Sequence, residues 1–207
     1  MKPVFVYSIA SLIAVGVGLG GYAALRAVTS DPFAQCRTTF AAGSDKIGGP
    51  FSLIDQTGTR VSDSDVIDGL TLIYFGYTFC PDICPMDTAR NAEAVEILEE
   101  NGIFVKPVMI SIDPARDTPQ VLADFISYIH PRMVGLTGSA AEITAAAKQY
   151  MAFFKAEDHA EDDEFYLVGH STNAYLMAPD HGLLQFFTRA ERPEEMAKTI
   201  ACYADKI

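Results

Sequence analysis

The chain has 207 residues, of which 49% are hydrophobic, and a formal net charge of −12 at pH 7. These values suffice for one domain with a buried core and a short appendage, and the acidic balance argues against a nucleic-acid partner. Four cysteines are too few for a scaffold built from disulfides, and they favour one special pair and two others.

The first segment predicts a membrane anchor. Between Lys2 and Arg26 no residue is charged. As a helix this stretch spans roughly 35 Å at ~1.5 Å per residue, which is enough for a ~30 Å hydrocarbon layer. A cleaved secretory signal is the alternative, but the run exceeds the ~7–15 residues typical of one and lacks a clear A-x-A site. We therefore expect a transmembrane anchor at residues 1–28, followed by a tether at 29–47.

Strands and helices alternate over residues 48–207. The β-prone runs at 71–77 and 104–112 are typical of buried strands, and each precedes a helical pattern, at 85–101 and 119–129. The other predicted elements are a strand or hairpin at 51–58, a strand at 134–136, a helix at 140–150, a hairpin at 171–178 and 183–187, and a helix at 193–203. This order predicts an α/β domain with a central mixed sheet and flanking helices, and a cysteine pair at a strand-to-helix junction is typical of a thioredoxin-like fold.

The helix predicted at 85–101 should bury one apolar face. Apolar residues recur at every third position, namely Met86, Ala89, Ala92, Val95 and Leu98. Glutamates mark the opposite, solvated side, and Gly102 is predicted to end the helix.

Cys80 and Cys84 lie where the buried strand ends and this helix begins. Backbone N–H groups and the helix dipole at such a position favour a thiolate. Two thiolates four residues apart can form a disulfide or hold one soft metal ion. Three chemistries therefore stay open: dithiol exchange with Cys80 as nucleophile and Cys84 as resolving thiol, peroxide reduction, and metal capture. Peroxide reduction is disfavoured because the spacing departs from a Thr-x-x-Cys arrangement.

Metal capture requires a third ligand, for which the chain offers four histidines. His130 lies at a predicted helix end, His159 in an acidic loop and His181 in a hairpin turn, where capping or solvated roles are adequate. His170 precedes a buried strand and follows Gly169, which allows the backbone to bend, although a structural role is equally compatible. Two thiolates and an imidazole would suit Cu(I) and still accept Cu(II).

Three blocks of the sequence resemble the Sco/SenC copper proteins of cytochrome c oxidase assembly, and their order and separation also agree. The blocks are GYTFCPDICP at 76–85, SIDPARDTP at 111–119 and VGHS at 168–171. The resemblance implies a thioredoxin-like domain on the outer face of the inner membrane, with one copper, as Cu(I) or Cu(II), bound by Cys80, Cys84 and His170. It also implies help in building the dinuclear copper centre of an oxidase subunit, by donating copper or by keeping that subunit's cysteines reduced.

Two features depart from the family's pattern. Gly169 stands where many relatives carry an acidic residue, which removes a charge next to His170. Cys36 and Cys202 lie outside the copper motif, and each is the sole cysteine of its terminal segment. In an oxidising compartment we predict a disulfide between them.

We expect a single-pass protein of the bacterial inner membrane with its C-terminal domain in the periplasm. Its expected partners are the copper-bearing subunit of the oxidase and a periplasmic copper carrier. Two alternatives use the same cysteines: a thiol–disulfide oxidoreductase with Cys80 and Cys84 as its redox pair, and a copper or redox sensor.

Overall fold

The computed structural model describes residues 31–38, 46–158 and 165–207. The chain divides into two compact units, Met1–Gln35 and Cys36–Ile207, and the elements below belong to the second. The predicted anchor at 1–28 and part of the tether at 29–47 lie outside the described residues, so both stay predictions. Within the described ranges, no helix combines the length and the hydropathy that a bilayer span requires.

The described part of the second unit contains nine strands and five helices. They are β1 Ser52–Asp55, β2 Arg60–Ser62, α1 Asp63–Val66, β3 Thr71–Gly76, α2 Ile83–Glu100, β4 Lys106–Ser111, α3 Pro119–Ser127, β5 Val134–Thr137, α4 Ala140–Gln149, β6 Phe154–Ala156, β7 Val168–His170, β8 Ala174–Ala178, β9 Gly182–Phe187 and α5 Pro193–Ala204. The predicted elements are present with small shifts at their ends. The short helix α1 and the β6–β7 pair were not predicted.

Seven strands form one mixed sheet in the order β2-β1-β5-β4-β3-β8-β9. Strands β3, β4 and β5 are parallel, as expected for strands joined through helices α2 and α3. Strands β1, β8 and β9 pair antiparallel, and β6 and β7 form a separate two-stranded sheet. The result is a mixed α/β, thioredoxin-like fold, as predicted.

Helices cover both faces of the large sheet. Met109 of β4 packs with Ala92 of α2 and Ile126 of α3. Its neighbour Ile110 points to the opposite face, because side chains alternate along a strand, and lies in the cluster that contains Ile143 of α4. The C-terminal ends of the parallel strands β3, β4 and β5 lie at the same edge of the sheet. The loop that contains Cys80 follows β3 at this edge.

The N-termini of α2 and α3 differ in a way that matters for the cysteines. At α3, the hydroxyl of Thr118 accepts a hydrogen bond from the N–H of Val121 (3.3 Å), and Pro119 occupies the first turn. At α2, the N-cap residue Asp82 makes no side-chain cap bond. The first N–H groups of α2 instead donate to the sulfur of Cys80.

The buried face of α2 differs from the predicted one. Ala92, Val95 and Leu98 are buried, but Met86 is 51% exposed and Ala89 is also exposed. Repeated steps of three residues drift around a helix of 3.6 residues per turn by roughly 60° per step, so they cannot stay on one face. The first half of α2 instead buries a largely polar set: Cys84, Asp87, Thr88 and Asn91.

Candidate metal centre

Two cysteines and one histidine converge at the end of β3. Cys80 lies in the loop after β3, Cys84 in the first turn of α2, and His170 at the end of β7. One donor atom from each lies within 4.8 Å of the others, and the sulfur of Cys84 is 3.2 Å from Nε2 of His170. Among the described residues, no other group of three His, Cys, Asp or Glu donors is close enough to share an ion.

The two cysteines have different electrostatic environments. Burial by itself would raise the pKa of Cys80, but hydrogen bonds from the N–H groups of Cys84 and Asp82 outweigh it, so the pKa lies below its ordinary value. Burial raises the pKa of Cys84 to about 12, although the N–H of Tyr77 donates to its sulfur. In the metal-free chain, therefore, Cys80 ionises first and Cys84 keeps its proton.

His170 presents the nitrogen that a metal requires. Its Nδ1 lies 2.8 Å from the carbonyl oxygen of Ser171. A carbonyl oxygen can only accept, so we assign the hydrogen to Nδ1, which leaves the Nε2 lone pair facing Cys84. Burial lowers the pKa of His170 and keeps the ring neutral at neutral pH. A neutral imidazole held by a backbone carbonyl is the usual form of a metal-binding histidine.

Two tyrosines of the β3 segment enclose the imidazole. The rings of Tyr74 and Tyr77 meet it edge-on, with centroid distances of 6.1 and 6.0 Å. The hydroxyl oxygen of Tyr77 accepts a hydrogen bond from the N–H of Val168 (3.2 Å), which ties strand β7 to the cysteine loop. Residues 86 positions apart in sequence, Cys84 and His170, are thereby held side by side.

The loop before α3 fixes the cysteine loop from the other side. Asp117 is fully buried and accepts hydrogen bonds from the N–H and hydroxyl of Thr78 (3.1 and 2.6 Å) and from the hydroxyl of Ser111 (2.6 Å). Asp117 thus holds the cysteine loop, whereas its neighbour Thr118 caps α3. Arg116, in the same loop, has a side chain that is only 10% exposed and is paired with Asp113.

A buried polar chain next to the ligands was missed by sequence reasoning. The hydroxyl of Tyr74 donates to Asp87 (3.2 Å), whose other carboxylate oxygen accepts from Nε of Arg189 (3.1 Å). One local clue was available, because Asp87 follows Cys84 by three residues and so shares its helix face. Arg189 is 102 residues from Asp87, and no local pattern joins them.

The other predicted residues lie elsewhere. His130 is buried, and its Nδ1 accepts a hydrogen bond from the N–H of Arg132. His181 is exposed in the β8–β9 turn, and His159 lies outside the described residues. Cys36 and Cys202 are joined by a disulfide, with their Cα atoms 5.5 Å apart.

The donor set of the cluster fits copper. Thiolates and imidazole are the soft and intermediate donors that suit Cu(I), whereas carboxylates, which suit harder ions, are absent from this group of three. Metal bonds of about 2.0–2.3 Å place three such donors within about 4 Å of one another, and the donor atoms here lie within 4.8 Å of one another. The arrangement can thus hold one soft ion or carry out thiol–disulfide exchange.

A thioredoxin-like domain with a Cys, Cys and His cluster at the strand-to-helix junction defines the class of this molecule. The family model described as SCO1/SenC matches residues 40–205. The chain belongs to the SCO1/SenC family.

Individual relatives agree with this assignment. Protein SenC of Rhodobacter capsulatus is 46% identical over 195 residues, which cover 94% of this chain and 87% of that protein. The crystal structure of Arabidopsis thaliana ScoI with copper bound is 37% identical, with a TM-score of 0.73 over 78% of this chain and 99% of that one. BsSco, described as a member of the Sco family of cytochrome c oxidase assembly proteins with a disulfide switch, is 25% identical, with a TM-score of 0.60 over 81% of this chain and 99% of that one.

Proposed function

We propose that this chain binds one copper ion through Cys80, Cys84 and His170 and acts as a copper chaperone in cytochrome c oxidase assembly, serving the dinuclear copper centre. The observation that carries the proposal is the convergence of two thiols and the lone pair of a neutral imidazole within 4.8 Å. The copper bound in the Arabidopsis relative and the family description of BsSco support it.

Copper is the cargo in this mechanism, and the chain's own residues prepare for it. Cys80 ionises most readily and offers the first thiolate, Cys84 loses its proton as the ion arrives, and His170 already carries its hydrogen on Nδ1. Release occurs by ligand exchange, in which an incoming thiolate or imidazole replaces one donor at a time. Cys80 is 8% exposed and Cys84 is fully buried, so the incoming ligand replaces Cys80 first.

The proposal includes a place in the cell. Residues 1–28 anchor the chain in the bacterial inner membrane, and the folded domain lies in the periplasm, where it meets the copper-bearing oxidase subunit and a periplasmic copper carrier. The uncharged stretch between Lys2 and Arg26 supports the anchor, and the Cys36–Cys202 disulfide is suited to an oxidising compartment. A reporter enzyme that is active only in the periplasm, fused after Ile207, should be active; an inactive fusion on a stably produced chain would contradict this placement.

A thiol–disulfide reductase is the second candidate, and the unequal pKa values of the two thiols favour it. The Cys80 thiolate would attack a partner disulfide and form a mixed disulfide while one partner sulfur leaves and takes up a proton. Cys84 would then lose its proton and attack the sulfur of Cys80, which breaks the mixed disulfide: the second partner sulfur leaves and takes up a proton, and a Cys80–Cys84 disulfide and a reduced partner result. The partner gains the two electrons that the dithiol loses.

Replacement of His170 separates the two candidates, because His170→Ala removes a copper ligand but keeps both thiols. In a strain that produces only this variant, a chaperone should lose most oxidase activity and most copper in the oxidase, whereas a reductase should keep both. The matched control is His181→Ala, which removes an exposed histidine outside the cluster. Normal oxidase copper with His170→Ala would contradict the chaperone role.

A further inference from the structure

The carboxylate of Asp87 lies next to the Cys80, Cys84 and His170 cluster. It accepts a hydrogen bond from Tyr74, one of the two tyrosines that enclose the His170 ring. Asp87 is only 3% exposed, and Tyr74, which donates to it, is 1% exposed. The Tyr74 ring also meets the His170 ring edge-on at 6.1 Å. A charge buried so close to a metal centre acts through a poorly screening interior, so it affects that centre more strongly than a surface charge would.

Arg189 opposes this charge from the solvent side. Its Nε donates to Asp87 over 3.1 Å, and its side chain is 40% exposed. Both charges act on His170. Burial is the largest effect and lowers the pKa of His170; the Asp87 carboxylate acts to raise that pKa, and the Arg189 guanidinium acts to lower it. Gly169, the neighbour of His170, supplies no charge, whereas the Asp87–Arg189 pair is hydrogen-bonded to Tyr74, whose ring contacts His170.

The two oxidation states of copper would respond differently to such charges. Two thiolates and a neutral imidazole give a neutral centre with Cu(II) and a centre of charge −1 with Cu(I). One electron converts the first into the second, with the same three ligands. A nearby carboxylate disfavours the extra negative charge of the Cu(I) centre, and a nearby guanidinium favours it.

We propose that Asp87, linked to the ligands through Tyr74 and opposed by Arg189, sets the relative affinity of this site for Cu(II) and Cu(I). This inference rests on the proposed copper binding and deepens it, since the charge balance of the pair decides which oxidation state the chain holds. Asp87 and Arg189 are positioning and tuning residues that do not touch the ion.

Three variants of the copper-loaded full chain test the inference in a redox titration with mediators that supply the electron. Asp87→Asn should shift the affinity ratio about tenfold toward Cu(I), which raises the one-electron potential by about 59 mV. Arg189→Met should shift it in the opposite direction by a similar factor. The double variant loses both charges and should return close to the parent. Asp68→Asn, which removes an exposed carboxylate paired with Lys106 at the far end of β3, should leave the potential unchanged.

The outcomes separate this inference from the proposed function. If the parent binds no copper, both fail. If it binds copper and the variants lose Cu(I) and Cu(II) affinity equally, with one potential throughout, Asp87 is merely structural and the inference alone fails. Should Asp87→Asn not fold, Arg189→Met decides, because its guanidinium is partly exposed: a potential at or above that of the parent would overturn the inference.

Discussion

Cys80 and Cys84 are four residues apart, yet they differ in what surrounds each sulfur. The sulfur of Cys80 accepts hydrogen bonds from N–H groups at the start of α2, which has no side-chain cap, and these bonds stabilise a thiolate. The sulfur of Cys84 is fully buried and lies against Nε2 of His170. The pair is thus asymmetric before any metal arrives.

This asymmetry predicts selective alkylation of the metal-free, reduced chain. At pH 8, Cys80 should react with iodoacetamide at least about tenfold faster than Cys84, because the thiolate is the reactive form. The rate at Cys84 should rise only as the pH approaches its pKa of about 12. Mass spectrometry of peptides at timed intervals gives both rates. Equal rates, or faster reaction at Cys84, would contradict the assigned environments.

Gly76 allows Tyr74 and Cys84 to pack closely against the backbone at the end of β3. A Cβ at this position would lie 2.6 Å from the Tyr74 ring and 3.4 Å from the sulfur of Cys84. Gly76→Ala should therefore displace the ring, lower the free energy of unfolding by about 1–3 kcal/mol and weaken copper binding. Urea denaturation and copper titration measure the two effects. Gly69→Ala is the control, because nothing lies within 4 Å of its added Cβ, and equal behaviour of the two variants would argue against the close contact.

At the scale of elements, long and continuous patterns predicted the structure well. The apolar run before the cysteines forms β3, and the helical pattern predicted at 119–129 forms α3. Gly102, predicted to end α2, follows its last turn with a φ of 75°. Such signals are local, so a single sequence contains them.

The missed features depend on contacts that no local pattern contains. Strands β6 and β7 have three residues each, too few to show an alternation, and β7 has a glycine at its centre. The polar face of α2 is stabilised by distant partners such as Arg189. For the site, the resemblance predicted Cys80, Cys84 and His170 as ligands, and these residues converge in the structure, whereas the Asp87 and Asp117 contacts required the folded chain.

The loop before α3 supports the cysteine loop, and Asp117→Ala tests this support. The change would leave the N–H of Thr78 and the hydroxyl of Ser111 without their buried acceptor. We expect a loss of about 3 kcal/mol in the free energy of unfolding, measured by urea denaturation. Asp124→Ala, on the exposed side of α3, should cost less than about 0.5 kcal/mol. A loss no larger than this control would contradict the role of Asp117.

At the scale of the whole molecule, the Cys36–Cys202 disulfide joins residues 166 positions apart. Closing so long a loop restricts the unfolded chain far more than the folded one. Replacing both cysteines by serine should lower the free energy of unfolding by about 4 kcal/mol while copper stoichiometry stays unchanged, since neither residue belongs to the cluster. Guanidinium denaturation and copper titration of the double variant test this. Undiminished stability, or loss of copper binding, would contradict it.

The central claim is that Cys80, Cys84 and His170 together bind one copper ion. The most direct test is an anaerobic Cu(I) titration of the purified full chain against a competing chelator, alongside Cys80→Ser, His170→Ala and the control His181→Ala. We expect one tightly bound ion in the parent and the control, with an affinity at least about tenfold lower in the two cluster variants. Absence of binding in the parent, or parental affinity in His170→Ala, would contradict the account.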